Sequence, residues 1–179
     1  MKAGGAEPVQ PGYNKTMIRV LFICLGNICR SPMAEAVLRH KVREAGFADK
    51  IEVDSAGTGH WHAGEQPHSG TRKILDKYGV SYAGMRARQI DRSDLTTFDY
   101  ILTMDEMNLS DVRRMVNSGT KATAKIIPLL NYALDTGVTE VPDPYYDGRF
   151  AEVYALVDAA CDGLLEEIRR ERLTPTGTV

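Results

Sequence analysis

The feature that most constrains the fold of this chain is an apolar run, residues 18–23, which is followed within a few positions by a helix start. Such a nearly continuous run is typical of a parallel strand that is covered on both faces. The pair Ser31-Pro32 predicts that a helix begins there, with Ser31 as its N-cap residue. Apolar residues then recur at helical spacing until Gly46. The sequence therefore predicts a strand, a tight turn and a helix in succession.

The same alternation continues along the chain. Strand-like and helix-like segments follow one another at residues 51–54, 69–78, 100–104, 106–116, 125–127 and 151–172. Strands that alternate with helices form right-handed βαβ units, which predicts an α/β fold with a parallel sheet and helices on both faces. Ligands bind such sheets at the carboxyl ends of the strands. The turn at residues 24–31 is therefore the candidate site.

Length and composition predict one folded domain. The chain has 179 residues, and we place a single domain at residues 17–172. Residues 1–16 are polar, with Gly and Pro, and are expected to be a flexible extension or an added leader, while residues 173–179 are expected to be a flexible tail. A hydrophobic fraction of 43% and a charged fraction of 26% are typical of a globular protein rather than a disordered one.

Net charge and cysteine content limit the partners and the compartment. The formal net charge of −2 gives no indication of a nucleic-acid partner. No window approaches the ~18 unbroken apolar residues of a membrane span, so no membrane partner is expected either. Three cysteines, Cys24, Cys29 and Cys161, do not resemble a disulfide framework. We therefore expect a reducing, cytoplasmic location.

The turn between the first strand and the first helix offers several partners to a phosphate group. Backbone N–H groups of such a turn converge on one concavity, and the helix adds the positive end of its dipole. Gly26 permits a tight turn, and Asn27 tolerates a left-handed conformation. Arg30 carries a planar fork that can clamp two phosphate oxygens. No Gly-Lys-Ser/Thr sequence is present, so this is not a nucleotide P-loop.

Cys24 lies at the base of this turn, where the same field would stabilise a thiolate. An ionised sulfur beneath a phosphoryl group is placed for in-line attack, and the Ser31 hydroxyl can donate to that sulfur when it leaves. The alternative is a buried cysteine at a strand end, followed by an ordinary turn. The combination of cysteine, five residues, arginine and then Ser-Pro favours the catalytic interpretation.

Asp143 is the candidate proton donor. Phosphoryl transfer to cysteine leaves an oxygen that needs a proton, which a carboxylic acid above the leaving group can supply. Asp143 lies between Pro142 and Pro144, whose fixed φ angles would hold the loop rigidly. A solvated turn aspartate explains the same residues equally well. The chain alone leaves both interpretations open.

The segment Cys24-Leu-Gly-Asn-Ile-Cys-Arg-Ser-Pro-Met-Ala-Glu-Ala resembles the signature of the low-molecular-weight protein tyrosine phosphatases. The resemblance covers nearly all of residues 17–171, including the segments at 54–56, 87–89, 98–101, 104–105 and 141–146. It implies a three-layer fold with a four-stranded parallel sheet, no metal or other cofactor, and hydrolysis of phosphotyrosine through a phosphocysteine intermediate. The implied partners are phosphotyrosine-containing proteins or small aryl phosphates, acted on by a monomer or weak dimer.

The resemblance also implies roles for individual residues. It makes Asp143 the general acid and base, and it places Ser55 in support of Asn27. Asp105 matches a position that can brace Arg30 or the loop. The implied phosphate loop consists of Cys24, Leu25, Gly26, Asn27, Ile28, Cys29, Arg30 and Ser31.

Aromatic walls above the phosphate would hold a phosphotyrosine ring. The family places such walls on the loop that contains Trp61 and on the loop that contains Tyr145 and Tyr146. The alternative is a surface tryptophan and two core tyrosines. Ile28 stands where a related branch that acts on phosphoarginine carries threonine. An apolar rim suits a phenyl ring better than a guanidinium, so phosphotyrosine is favoured over phosphoarginine.

Two features depart from the family or stay open. The family often has a histidine bonded to the equivalent of Asn27, but residues 82–87 contain none. Cys29 can form a protective disulfide with an oxidised Cys24, or it can be a small packing residue.

Other site chemistries are less well supported. His60, His62 and His68 flank Trp61, but without nearby cysteines or a cluster of acids they are expected to be loop residues rather than zinc ligands. A thioredoxin-coupled arsenate reductase would need two relay cysteines besides the nucleophile. A phosphocysteine carrier would lack the proton donor, and a non-catalytic phosphate-binding module would not need the Cys24, Arg30 and Asp143 set.

Overall fold

The computed structural model describes residues 17–173 and contains one four-stranded sheet with the strand order β2-β1-β3-β4. Every pair of neighbouring strands is parallel. The predicted α/β fold with helices around a parallel sheet is therefore confirmed. The expectations for residues 1–16, and for all but the first residue of the predicted tail, lie outside the described residues.

The strands lie close to their predicted positions. They are β1 (Ile18–Cys24), β2 (Ile51–Gly57), β3 (Tyr100–Thr103) and β4 (Lys125–Pro128). The central strand β1 pairs with β2 along its whole length, from Ile18 opposite Ile51 to Cys24 opposite Gly57. This register brings the ends of β1 and β2 to the same edge of the sheet. The turn that follows Cys24 lies at that edge.

In the described part of the chain, five α-helices accompany the sheet, of which the short α3 was not predicted. They are α1 (Arg30–Glu44), α2 (Ser69–Lys77), α3 (Asp94–Thr97), α4 (Glu106–Asn117) and α5 (Phe150–Ile168). Two 3-10 helices, Leu129–Tyr132 and Leu134–Thr136, follow β4, and a π-helical turn, Arg169–Leu173, extends α5. The predicted closing helix thus changes type at Ile168. Within residues 17–173, no helix combines the length and the apolarity that crossing a lipid bilayer requires.

The core occupies both faces of the sheet. Successive residues of β1 point to opposite faces, so Val20 and Phe22 join the larger cluster with α1 and α5, whereas Leu21 and Ile23 join the smaller one with Leu95. All of these side chains are fully buried. This explains why β1 reads as an unbroken apolar run, and the double burial makes it a rigid support for the turn that follows.

The predicted cap of α1 is wrong in its position. The helix begins at Arg30, with Cys29 as its N-cap residue and no side-chain cap hydrogen bond. Ser31 therefore lies inside the first turn, together with Pro32, which tolerates that position because its missing N–H would have no helical partner there. The Ser31 hydroxyl is engaged instead with the side chains of Cys24 and Asn27.

Candidate active site

The turn from Cys24 to Arg30 is held tightly against the neighbouring segment. The backbone N–H groups of Thr58 and Gly59 donate to the carbonyls of Cys24 and Leu25, each at 2.9 Å. A Cβ at Gly57 would lie 2.7 Å from the Leu25 carbonyl oxygen, which no ordinary contact allows. Gly57 is therefore needed for the close approach of β2 to the turn. Sequence reasoning missed this residue, although glycine at a strand end was a usable signal.

Asn27 has a left-handed backbone with φ of 56°, as its residue type had suggested. Its own N–H lies 3.3 Å from the Cys24 sulfur and donates to it. The Ser31 hydroxyl lies 3.0 Å from the same sulfur. Cys24 is almost entirely buried, at 3% exposure, and it nevertheless lines a surface cavity. Both polar contacts reach a sulfur at the mouth of helix α1, where the helix dipole favours negative charge.

Arg30 lines the same cavity and is held from two sides. Its Nη1 donates to Asp105 Oδ2 at 2.6 Å and to the Val141 carbonyl at 3.1 Å, and its Nη2 donates to Asp143 Oδ2 at 3.3 Å. Burial lowers the pKa of Arg30, but the negative charges of Cys24, Asp105 and Asp143 outweigh burial and raise it above its ordinary value. The guanidinium is therefore a fixed cation.

The cavity above the sulfur has a volume of about 210 Å³. It is lined by residues of the turn and helix start, Cys24, Leu25, Gly26, Ile28, Cys29 and Arg30, and by Trp61, His62, Asp143, Tyr145 and Tyr146 from other segments. All three predicted wall aromatics are exposed, with Trp61 at 65% and Tyr146 at 92%, so the tyrosines are not core residues. The rings of Tyr145 and Tyr146 meet edge to face at 4.8 Å between centroids. The cavity thus brings the turn and the Arg30 guanidinium together with exposed aromatic side chains.

Behind the turn, the side chain of Asn27 joins the loop to the sheet. Its Nδ2 donates to Ser31 Oγ at 2.9 Å and to Ser55 Oγ at 2.8 Å. Its Oδ1 accepts from the backbone N–H of Arg88 at 2.9 Å. Ser55 thus contacts Asn27, as the resemblance implied. Residues 82–87 contain no histidine that could bond the Asn27 side chain, and the backbone N–H of Arg88 contacts it instead.

Ser55 in turn donates to Glu35 Oε2, a buried carboxyl on α1 that sequence reasoning missed. The signal available in the sequence was misleading, because Glu35 stands four residues before Arg39 and has the pattern of an exposed helix pair. Burial, more than the nearby Asp54 charge, raises the pKa of Glu35 to about 7.

The other two cysteines are buried thiols. Cys29 packs with Ile28, Ala87 and Phe150. Burial raises the pKa of Cys29 to about 12, and the charges of Cys24 and Asp143 add to this effect. Cys161, inside α5, is fully buried, which likewise raises its pKa.

The histidines near Trp61 are engaged separately. His62 contacts Glu65 at 3.0 Å, while His68 caps α2 by accepting from the Gly70 N–H and stacks on Phe150. His60 stacks on Trp61. Among residues 17–173, no group of three histidine, cysteine or acidic side chains is arranged to hold a metal ion.

Comparison with known proteins adds independent information. Residues 19–174 match the family model described as low molecular weight phosphotyrosine protein phosphatase. The low molecular weight protein-tyrosine-phosphatase YfkJ of Bacillus subtilis is 50% identical over 156 residues, which cover 87% of this chain and 99% of that protein. The protein-tyrosine-phosphatase PtpA of Staphylococcus epidermidis is 42% identical over 155 residues, which cover 87% of this chain and 96% of that protein.

Solved structures agree with these sequence matches. The crystal structure of YfkJ from Bacillus subtilis matches with a TM-score of 0.84 and 49% identity, over 89% of this chain and 99% of that one. A structure described as the Drosophila arginine phosphatase matches with a TM-score of 0.81 and 34% identity, over 86% of this chain and 99% of that one.

Proposed function

The chain belongs to the low molecular weight phosphotyrosine protein phosphatase family, and from this premise we propose how its residues perform phosphotyrosine hydrolysis. The protein is a tyrosine phosphatase, a hydrolase of phosphoric monoesters. One observation carries the assignment of roles. The Cys24 sulfur and the Arg30 guanidinium line a single cavity at the N-terminus of α1. A nucleophile and a phosphate clamp are thus brought together.

In the first step, the Cys24 thiolate attacks phosphorus in line with the bond to the tyrosine oxygen. The S–P bond forms as that P–O bond breaks, and Asp143 donates its proton to the departing oxygen. Backbone N–H groups of the turn and the Arg30 fork stabilise the charge on the three equatorial oxygens. Asp143 lies beside Arg30, at the cavity wall, which supports this role.

In the second step, the Asp143 carboxylate removes a proton from water, whose oxygen attacks the phosphocysteine. The P–O bond forms, the S–P bond breaks and its electron pair returns to sulfur. Ser31, 3.0 Å from that sulfur, donates a hydrogen bond to the departing thiolate. Leu25, Gly26 and Ile28 line the same cavity, which supports their place in the phosphate loop.

The substrate is a phosphotyrosine side chain whose ring stands between Trp61 on one side and Tyr145 and Tyr146 on the other. These three side chains and Ile28 surround the cavity, and their apolar surfaces suit a phenyl ring. The similarity to an arginine phosphatase raises the alternative of phosphoarginine. Ile28 argues against it, because this buried side chain offers no polar partner to a guanidinium.

We propose a single phosphatase domain at residues 17–172 that works in the cytoplasm as a monomer or weak dimer. A reducing compartment suits an enzyme whose nucleophile is a free thiol, and the described cysteines are all free. Cys29, near Cys24 on one turn, is proposed to capture the oxidised nucleophile as a disulfide.

The decisive experiment replaces the nucleophile. Cys24→Ser should abolish turnover of phosphotyrosine peptides while inorganic phosphate still binds, because the backbone and Arg30 cradle stays in place. Phosphate binding is measured by its stabilisation of the folded protein against heat. Turnover by the folded Cys24→Ser protein above about one thousandth of the wild-type rate would overturn the proposed mechanism.

A further inference from the structure

Glu35 is a buried carboxyl for which the mechanism above has no use. It lies on α1, one turn after Ser31, and it is only 4% exposed. Its Oε1 contacts Arg39 Nη2 at 2.6 Å, and its Oε2 accepts from Ser55 Oγ at 2.5 Å. Both carboxyl oxygens therefore face a hydrogen-bond donor.

A continuous series of buried hydrogen bonds joins this carboxyl to the sulfur of Cys24. Ser55 Oγ, which donates to Glu35, accepts from Asn27 Nδ2 at 2.8 Å. The same amide nitrogen donates to Ser31 Oγ at 2.9 Å. Ser31 Oγ lies 3.0 Å from the sulfur. Three hydrogen-bonding side chains thus link the two ionisable groups.

The donors and acceptors of this series have a definite direction. The Arg88 N–H donates to Asn27 Oδ1, so the amide nitrogen must face the two serines. Both hydroxyl oxygens accept from that nitrogen. The hydrogen of Ser55 is then free to point at Glu35, and the hydrogen of Ser31 is free to point at sulfur, which is closer than its other acceptor, the Ala56 carbonyl at 3.4 Å.

We propose that ionised Glu35 is a positioning residue for the nucleophile: its carboxylate accepts from Ser55 and thereby fixes the amide and hydroxyl chain that directs the Ser31 hydrogen at the Cys24 sulfur. The proposal rests on the proposed role of Cys24 and extends it. Glu35 itself touches no reacting atom.

Protonation of Glu35 disturbs this order. A protonated carboxyl becomes a donor toward Ser55, because Arg39 already occupies the other oxygen. Ser55 Oγ then accepts from both Glu35 and Asn27, and its own hydrogen loses its acceptor inside a buried site. A buried donor without an acceptor is costly, so the chain rearranges or loosens. The hydrogen bond from Ser31 to sulfur then loses its fixed support.

The charged groups around Glu35 and its burial determine the pH at which its carboxyl becomes protonated. Arg39 faces it from the same helix, Asp54 from β2, and Arg88 from the segment after α2, where Arg88 is itself paired with Asp54. Arg86 lines the small cavity beside it. Burial raises the pKa of Glu35 to about 7, while Arg39, Arg88 and the Ser55 hydrogen bond oppose this rise. The carboxyl therefore titrates near neutral pH.

The test compares wild-type protein with Glu35→Gln over a range of pH. Glutamine mimics the protonated form, because its carbonyl faces Arg39 and its NH₂ group donates to Ser55. The readout is kcat for p-nitrophenyl phosphate, a substrate with a good leaving group, so that breakdown of the phosphocysteine limits turnover. We expect the ratio of wild-type to variant kcat to be close to one at about pH 5.5 and to reach about tenfold above about pH 8.

A ratio that rises with pH around a midpoint near 7 supports the proposal. The proposal is overturned if the ratio of wild-type to Glu35→Gln kcat is the same at every pH or falls as the pH rises. A glutamate with a purely structural role would give a ratio without such a midpoint. Glu52→Gln is the matched control. Glu52 is exposed and pairs with Arg19 at 2.9 Å, so its replacement should leave the ratio at one throughout.

A second variant keeps the test independent of whether Glu35→Gln folds. Ser55→Ala removes the link between Glu35 and Asn27, so the ratio of wild-type to Ser55→Ala kcat should also rise with pH. In the Ser55→Ala background, adding Glu35→Gln should change kcat by the same factor at every pH. A ratio of wild-type to Ser55→Ala that does not vary with pH contradicts the proposal. Failure of the underlying function is recognised separately, by turnover in Cys24→Ser.

Discussion

Arg30 and Asp143 form an ion pair across the cavity, with Nη2 of the guanidinium 3.3 Å from Oδ2 of the carboxylate. A bound phosphate and a charged Asp143 would therefore compete for one cation. Protonation of Asp143 removes the charge that holds it to Arg30. The protonated Asp143 that we propose for the first chemical step would thus also leave the arginine fork free for the substrate.

Asp105 should orient this guanidinium, because Arg30 Nη1 contacts Asp105 at 2.6 Å. Asp105 also caps α4 by accepting from the Asn108 N–H. Asp105→Asn keeps the capping oxygen but turns an NH₂ group toward Arg30, which displaces the fork. We expect the inhibition constant for inorganic phosphate to rise about tenfold, with the melting temperature nearly unchanged. Tighter phosphate binding would instead mean that the loss of a negative charge outweighs orientation.

Asp143→Asn should lower kcat/KM most for the substrates whose leaving groups are most basic. The variant cannot donate a proton, so phenyl phosphate, whose leaving group has a pKa of about 10, should lose far more kcat/KM than p-nitrophenyl phosphate. Asp147→Asn is the control, because Asp147 is an exposed residue of the same loop and pairs with Arg149. An equal loss for the two substrates would remove Asp143 from the role of general acid.

The phosphate loop could be anticipated because its parts are local in sequence. Cys24 ends a strand and Arg30 begins a helix, so chain geometry alone brings them to one turn. The contact of the Ser31 hydroxyl with the Cys24 sulfur was also anticipated, but its contact with Asn27 and its place inside the helix were not. Its residue type favours a helix cap, but its hydroxyl bonds to Cys24 and Asn27, and only the folded turn brings these partners together.

Contacts between distant segments could not be anticipated from residue patterns. Glu35 is buried beside Ser55 of β2 and residues 85–87, which lie 20 or more positions away from it in the sequence. Gly57 is required by the approach of the Leu25 carbonyl, a contact between two strand ends. The parallel sheet itself was predictable, since burial on both faces leaves a continuous apolar run in each central strand.

Ile28 should determine the choice between phosphotyrosine and phosphoarginine. Ile28 is 6% exposed and lines the cavity. Ile28→Thr introduces a hydroxyl that can bond a guanidinium, so the ratio of kcat/KM for phosphoarginine to that for phosphotyrosine should rise about tenfold in competition assays. Leu25 lines the same cavity but is 37% exposed, so Leu25→Thr should change the ratio much less. Wild-type protein that prefers phosphoarginine would contradict the proposed substrate.

Cys29 should protect the oxidised enzyme. Peroxide converts the Cys24 thiolate to a sulfenic acid, and attack by Cys29 releases water and forms a disulfide that thiols reduce. Neutralising Cys24 also removes one of the charges that raise the pKa of Cys29. After peroxide and then dithiothreitol, Cys29→Ala should recover several-fold less activity than wild type. Cys161→Ala, in the distant helix α5, should recover like wild type, and equal recovery by Cys29→Ala would exclude the disulfide.

Titration of Glu35 should make the free energy of unfolding depend on pH. Its pKa rises from 4.5 to about 7 on folding, so the folded state binds the extra proton between these values. The stabilisation that this proton provides is fully present below about pH 4.5 and is lost as the pH rises through about 7. Each unit of pKa difference between the folded and unfolded states corresponds to ~1.4 kcal/mol, so the free energy of unfolding falls by about 3 kcal/mol at most.

Glu35→Gln cannot titrate, so the free energy of unfolding of the variant, relative to wild type, should increase by about 2 to 3 kcal/mol between about pH 5 and pH 8. Urea unfolding of the reduced proteins measures this difference, with Glu52→Gln expected to follow wild type. Stability curves for wild type and Glu35→Gln that run parallel with pH would mean that the buried carboxyl does not titrate there. A rising difference would mean that the buried carboxyl of the wild type loses its extra proton, and the stability that this proton provides, as the pH rises through about 7.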